Sequence, residues 1–306
     1  MTTIPVFFSV NDAYAPLLAT ALVSIRQNAS PRYEYKIHVL CDGLSPETRK
    51  RIEALGREHF YIEFNPDSFG AFSSLNVYTR LFIPSLFPQY DRGIYLDSDI
   101  IVPGDLSELW EEPLGGKLIG ACADYSVLGV APLVRYIDEY VGVEHRNYVN
   151  PGVLLMDLKG LRKMDLCGNF LYWRQHFHPE TVAPGQDYLN TLCKGRIHYL
   201  DPEWNAMPTK NVFCFEDPRI IHFNRDTKPW MNESVPYDDL FWTYAAASGY
   251  EEEIRRRRNA FLQDANAKKQ YLNGIRSLIG TAARLCHASV SFRSLMQAGR
   301  MARLCS

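Results

Sequence analysis

Within its first 65 residues the chain changes period repeatedly, and that alternation constrains the fold more than any single residue does. Val6–Val10 is a short apolar run. Leu17, Leu18, Ala21, Leu22 and Ile25 then recur at i, i+3, i+4 spacing, the stripe of a helix. Lys36–Leu40 reads as a second strand. Ser45-Pro46-Glu47-Thr48 opens another helix, with Ser45 as N-cap and Pro46 at the first helical position. Tyr61–Phe64 reads as a third strand. This β-α-β-α-β order predicts a parallel sheet with helices on both faces. Ligands of such sheets bind beyond the carboxyl ends of the strands, where Asn11 and Asp12 are expected.

A later segment, Arg92-Gly-Ile-Tyr-Leu-Asp-Ser-Asp-Ile-Ile-Val102, runs from a buried strand into two carboxylates, Asp97 and Asp99. Strand side chains at i and i+2 point the same way. Two such carboxylates repel unless positive charge lies between them, and a divalent cation with hard oxygen ligands is the usual answer. An Asx-rich turn is the plain alternative. Tyr148–Leu158 is another strand entry with Asn-Pro-Gly at its mouth, and Gly185–Cys193 reads as a loop running into a helix. Alone, His222 after two isoleucines reads as a structural histidine, and His176-x-His178 as surface loop.

Composition removes several classes. A chain of 306 residues, 46% hydrophobic and 22% charged, has an ordinary globular make-up, enough for one large domain or two modest ones. With 33 basic and 35 acidic residues the net charge is −2, against a generally basic nucleic-acid-binding surface. Glu251–Arg258 (EEEIRRRR) reads instead as i, i+4 ion pairs on a solvated helix. The seven cysteines include no C-x-x-C pair, so reduced thiols and a cytoplasmic setting are expected. The N-terminus lacks the pattern of a signal peptide, and no run of apolar residues is long enough to span a membrane. P-loop, dinucleotide-binding and nucleophile-elbow motifs are missing.

Six ordered blocks share a resemblance: FFSVNDAY (7–14), YTRLFIPSLFP (78–88), YLDSDIIV (95–102), NPGVLLMDL (150–158), GQDYLN (185–190) and HFNRDTKPW (222–230). Together they resemble the retaining glycosyltransferases of family 8, which include bacterial lipopolysaccharide galactosyl- and glucosyltransferases and glycogenin. The resemblance implies an α/β GT-A fold, Rossmann-like and nucleotide-sugar-binding, as one large domain over residues 1–240. A mainly helical extension, 241–306, follows. It also implies a UDP-sugar donor, a glycan acceptor that can be lipid-linked, and no nucleic acid. The family's metal ligands fall on Asp97, Asp99 and His222, for Mn²⁺ or Mg²⁺. Ser9, Asn11, Asp12 and Tyr14 fall on the uridine-binding block, and Arg80 near the donor sugar and diphosphate. Lys228 falls on the diphosphate lysine, Asn150 and Gly152 on the sugar pocket, and Ser98 and Asp187 among the donor contacts. Gln186 aligns with the residue nearest the β-face of the anomeric carbon. An amide is a poor nucleophile, so front-face substitution is expected. Two positions depart from the family: Gly185 replaces an Asp that binds donor hydroxyls, and Arg225 replaces a Gly.

Two rivals are distinguishable. A haloacid-dehalogenase-type phosphatase places its D-x-D on the first strand and follows it with Thr or Val where Ile101 stands. A non-catalytic UDP-sugar-binding protein predicts binding without turnover. The tail adds one expectation of its own. Residues 265–306 hold seven Lys or Arg and no acid, and apolar residues recur at 272, 275, 278, 279, 282 and 285, continuing to Phe292, Leu295 and Met296. That pattern predicts an amphipathic cationic helix lying on an anionic bilayer at the inner face of the membrane, or else packed on the acidic body.

Overall fold

The three N-terminal apolar runs become strands longer than their apolar residues, because pairing carries each one outward. In the computed structural model, which describes residues 1–41, 43–65, 77–209, 214–225 and 227–297, β1 (Thr2–Val10) pairs with β2 (Tyr33–Cys41) along its full length. Asp226, Arg300, Arg303 and Cys305 lie outside the described residues. Between these strands runs α1 (Ala15–Asn28). Next come α2 (Pro46–Glu53), where Thr48 N donates to Ser45 Oγ at 3.2 Å as the capping pattern predicts, and β3 (Phe60–Asn65).

The chain continues through α3 (Thr79–Leu86), β4 (Arg92–Leu96), β5 (Ile100–Ile101), α4 (Leu106–Glu111), β6 (Ile119–Ala121) and α5 (Ala131–Arg135). Then follow β7 (Val153–Asp157), α6 (Leu158–Lys163), α7 (Leu166–His176), α8 (Pro184–Leu192), β8 (Ile197–Tyr199) and β9 (Ile221–His222). Four helices close the described chain: α9 (Asp238–Ala247), α10 (Glu251–Gln263), α11 (Ala265–Leu285) and α12 (Phe292–Gln297).

Seven strands form one sheet in the order β3-β2-β1-β4-β7-β6-β8. β1, β2 and β3 are parallel as expected, and β4 runs parallel to β1, but β7 runs antiparallel to β4 and β6 antiparallel to β7. An apolar run marks a buried strand without stating its direction, so the mixed sheet was not legible in advance. Strand order reverses between β1 and β4, which opens a crevice at their carboxyl ends. Alternation divides the core. Phe7, Tyr95 and Leu154 pack on one face of the sheet, and Val6, Phe8, Ile94 and Leu96 on the other. Of the predicted stripe on α1, Leu18, Ala21, Leu22 and Ile25 face the sheet, but Leu17 joins Val23 against Phe241 and Tyr244 of α9. The helix is therefore buried all round.

The basic, amphipathic C-terminal segment is helical as predicted, but from Ala282 onward its apolar face is inside the protein. Ala282, Leu285, Phe292 and Leu295 belong to the core, and Phe292 stacks on Trp173 with centroids 5.9 Å apart. Body packing explains these four residues without a bilayer. The charged run lies on α10, where Arg255 pairs with Glu251 at 2.8 Å and Arg257 with Glu253 at 2.6 Å. Arg257 also donates to Ala13 O, fastening α10 beside the end of β1. His176 ends α7 with its ring on Tyr172, rather than lying in a loop. No helix among the described residues is long and apolar enough to cross a membrane.

Candidate active site

Asp97 and Asp99 leave β4 at the strand-order reversal, and the following residues explain how a histidine over 120 positions away reaches them. Ile100 and Ile101 form β5, which pairs antiparallel with β9 so that Ile100 stands opposite His222. Phe223 N donates to Asp99 O at 3.0 Å, holding the register. One ligand atom from each of Asp97, Asp99 and His222 can be chosen so that all lie within 4.8 Å of one another. His222 Nε2 is 3.3 Å from Asp99 Oδ1 and 4.0 Å from Asp97 Oδ2.

A chain of amides orients that imidazole, and it starts from a donor of certain identity. The Gly152 backbone N–H donates to Asn150 Oδ1 at 2.9 Å, and Asn205 Nδ2 donates to the same oxygen at 3.1 Å. Asn205 Oδ1 then faces His222 Nδ1 at 3.1 Å and accepts its proton. In the neutral ring this leaves the Nε2 lone pair directed at two carboxylates, an arrangement a cation between them would satisfy. Two carboxylates with one imidazole suit Mn²⁺ or Mg²⁺, so the residues present fit the metal that the family implies.

Cations of the chain itself now balance the acids. Lys228 Nζ lies 2.6 Å from Asp99 Oδ2, and Arg80 Nη2 lies 3.0 Å from Asp97 Oδ1. Burial works to raise the Asp99 pKa, but Lys228 beside it, joined by His222 when that ring is protonated, overcomes it and holds the carboxyl well below the usual range. Burial likewise disfavours the charged Lys228, and Asp99 more than restores it, so its pKa is raised. Tyr95, two residues before Asp97 on the same face of β4, donates to Asp97 Oδ1 at 2.7 Å. Arg80 stacks over the Tyr95 ring at 4.6 Å and donates to Pro151 O at 2.6 Å, while its buried Nε has no partner.

Two cavities meet at this cluster. One, of about 340 Å³, is lined by Ser9, Asn11, Tyr14 and Ser98, with Arg80, Asp97 and Asp99. The other, of about 620 Å³, shares Arg80, Asp97 and Asp99 and adds Asn150, Gln186, His222 and Lys228. Eleven of the expected residues thus line the two cavities, with the predicted metal ligands among them. Gln186 Nε2 donates to Asp124 Oδ2 at 2.8 Å, which leaves its side-chain oxygen Oε1 without a partner among the described residues.

Three expected donor contacts sit elsewhere. Asp12 accepts from Ser45 N at 3.1 Å and ties the turn after β1 to the cap of α2. Gly152 lies behind the cluster, where a Cβ would come within 2.3 Å of His222 Cε1, so the glycine makes room for the histidine ring. Asp187 is wholly buried, accepting from Tyr148 at 2.6 Å, Tyr136 at 2.8 Å and Ala183 N at 3.1 Å. Desolvation raises its pKa to about 6 despite those bonds. The segment Gly185–Cys193 is also not a loop leading into a helix, since α8 already begins at Pro184.

The two departures have structural consequences. A Cβ at Gly185 would stand 2.6 Å from Val77 O, so the glycine permits that backbone approach. Arg225 has φ +50°, the left-handed region that a glycine enters freely and an arginine enters at a cost of about 1 kcal/mol. Asp124, Asn205 and Tyr95 escaped the sequence reading. Only Tyr95 carried a signal, its i, i+2 relation to Asp97.

The family model for Glycosyl transferase family 8 matches residues 5–234. General stress protein A of Bacillus subtilis is 26% identical over 264 residues, covering 76% of this chain and 90% of that protein. The structure of the galactosyltransferase LgtC in complex with donor and acceptor sugar analogs superimposes with a TM-score of 0.68 at 27% identity, over 80% of this chain and 96% of that one. The apo bifunctional glycosyltransferase WbbM shares the fold with a TM-score of 0.75 at 24% identity, over 84% of this chain but 52% of that one. With the D-x-D at the end of β4 and His222 paired beside it, the match over most of its length establishes that this GT-A chain belongs to glycosyl transferase family 8.

Proposed function

We propose that the chain transfers a hexose from a UDP-sugar to a hydroxyl of a glycan, with the donor's α-configuration retained. One observation carries the reading: the Asp97–Asp99–His222 cluster stands at the join of two cavities, one on each side of the D-x-D. A nucleotide sugar has that division of parts. The smaller cavity suits uridine against Ser9, Asn11 and Tyr14. The larger suits the hexose beside Asn150 and Gln186. The diphosphate then lies at the join, where Lys228 can turn from Asp99 to a phosphate oxygen. Mn²⁺ or Mg²⁺ held by Asp97, Asp99 and His222 would supply Lewis-acid stabilisation of the departing diphosphate.

Asp124 holds the Gln186 amide so that its carbonyl oxygen is available to the anomeric centre. That oxygen stabilises positive charge as the bond from C1 to the phosphate oxygen breaks. The acceptor oxygen forms its bond to C1 from the same face, and its proton passes to the leaving phosphate, so no protein base is needed. In this reading residues 1–240 carry the site and 241–306 form the extension. The acceptor is a surface glycan such as lipopolysaccharide, met at the cytoplasmic face of the membrane.

The test is a panel of UDP-hexoses with the full-length chain, reading UDP release by mass spectrometry with and without EDTA, and the product linkage by proton NMR. Metal-dependent release from at least one donor and an α-linked product are expected. A β-linked product, or undiminished turnover in excess EDTA, refutes the proposal.

A further inference from the structure

The larger cavity has two chemically different ends. Its inner end is the polar cluster just described. Its outer wall is hydrocarbon: Leu272, Ile275, Leu278 and Ile279 on α11 line it together with Leu133 of α5 and Val182. These belong to the same stripe whose later members, Ala282 and Leu285, are buried in the core. The four earlier ones are not closed over, and Leu272 and Leu278 remain 51% and 49% exposed. Nothing in the family match accounts for them, since it ends at residue 234.

The wall is held in place at both ends. Asp264 caps α11 by accepting from Asn266 N at 2.8 Å and Ala267 N at 3.0 Å. Tyr271 donates to Arg225 O at 2.5 Å, which ties the helix to the loop that follows β9. Near the other end Arg284 pairs with Glu180. An aliphatic surface fixed this way offers hydroxyl groups no partner, and burying them there is costly. With the nucleotide assigned to the smaller cavity, the part of the acceptor that meets this wall is apolar.

Resting on the hexosyltransferase reading, we propose that the acceptor is a glycolipid whose hydrocarbon chain lies in the cavity along the Leu272/Ile275/Leu278/Ile279 face of α11, beside Leu133 and Val182. Two further features support a lipid. The groove is continuous with the site of transfer, so its occupant is bonded to the reacting group. The outer part of α11 also carries Lys268, Lys269 and Arg276 and no acid, suited to an anionic membrane surface.

The test measures binding of hexyl, octyl and decyl β-glucoside, below their micelle concentrations, to the full-length chain with UDP and Mn²⁺ present, by calorimetry. Kd is expected to fall about fourfold for each methylene buried until the groove is filled. Leu278→Ser and Leu272→Ser, both half-exposed positions, are expected to flatten that dependence with unchanged melting temperatures. A Kd independent of chain length overturns the proposal, as does a length dependence that survives in both variants. UDP titrated alone separates the two readings. If UDP fails to bind, the transferase reading falls and the acceptor assignment with it. If UDP binds while the glucosides show no length dependence, only the glycolipid proposal falls.

Discussion

Gly152→Ala is the substitution that most directly tests whether the geometry behind the metal cluster matters. The backbone of Gly152 is held on two sides: its N–H donates to Asn150 Oδ1 at 2.9 Å, and its carbonyl accepts from Asp97 N at 2.8 Å. An added Cβ would lie 2.3 Å from His222 Cε1 and 2.7 Å from Nδ1. The ring must then retreat by about 1 Å to reach ordinary van der Waals separation. His222 is only 3% exposed, and β9 pairing and Asn205 fix it, so little room exists for that retreat. Overpacking of this kind costs about 1–3 kcal/mol of stability. Displacing a ligand through its supporting shell lowers metal affinity by about 10–100-fold, and a misplacement of about 1 Å can cost about 100-fold in rate. Mn²⁺ binding followed by electron paramagnetic resonance, together with UDP release, reads both effects. Gly129→Ala serves as the control, because a Cβ there meets nothing within 4 Å. If Gly152→Ala binds Mn²⁺ and turns over within twofold of the wild type, the reasoning is refuted.

Other expectations follow from the same geometry. Asp97→Asn and Asp99→Asn should each lower UDP release by about 100-fold or more, roughly 3 kcal/mol of transition-state stabilisation. Asp99→Asn should also lower the melting temperature further than Asp97→Asn, because Lys228 loses its carboxylate while Arg80 keeps Pro151 O; equal melting temperatures would contradict this. Gly185→Asp, which restores the family's residue, should destabilise the fold through contact with Val77 O; a variant as stable as the wild type that gains activity on one donor would show that the loop yields. Asp187 gives a pH dependence of defined sign. Its folded pKa of about 6 lies above the ordinary carboxylate value, so its contribution is greatest in acid and is lost as pH rises from about 4 through 6. Relative to Asp187→Asn, the wild type should lose about 3 kcal/mol between pH 4 and 7. Parallel stability curves for the two proteins across that range would rule this out.

Much of the site was legible because its parts are local. The spacing of Asp97 and Asp99 after an apolar strand puts both on one face wherever the strand goes, and Tyr95 belongs to the same alternation. Ser45 capped α2 for a reason contained in four residues. His222 was different. By itself it read as a structural histidine, and only the family resemblance placed it with the aspartates; the physical link is the pairing of β5 with β9. Asp187 carried no mark of its burial, since an acid beside Gln186 looks the same in sequence whether it faces a sugar or two tyrosine hydroxyls.

Residue order alone determined the alternation of strands and helices, the carboxylate pair at a strand end, and a basic helix with one apolar stripe. Those are statements about periods of two and 3.6, which the backbone imposes within a few residues. Tertiary structure decided the direction of β7, the company of His222, and what the stripe on α11 covers. An apolar face is driven out of water with little regard to what replaces the water, so bilayer, core and ligand cavity demand the same pattern. Here the stripe is divided between two of them: Ala282 and Leu285 enter the core, while Leu272, Ile275, Leu278 and Ile279 wall the cavity above the metal cluster.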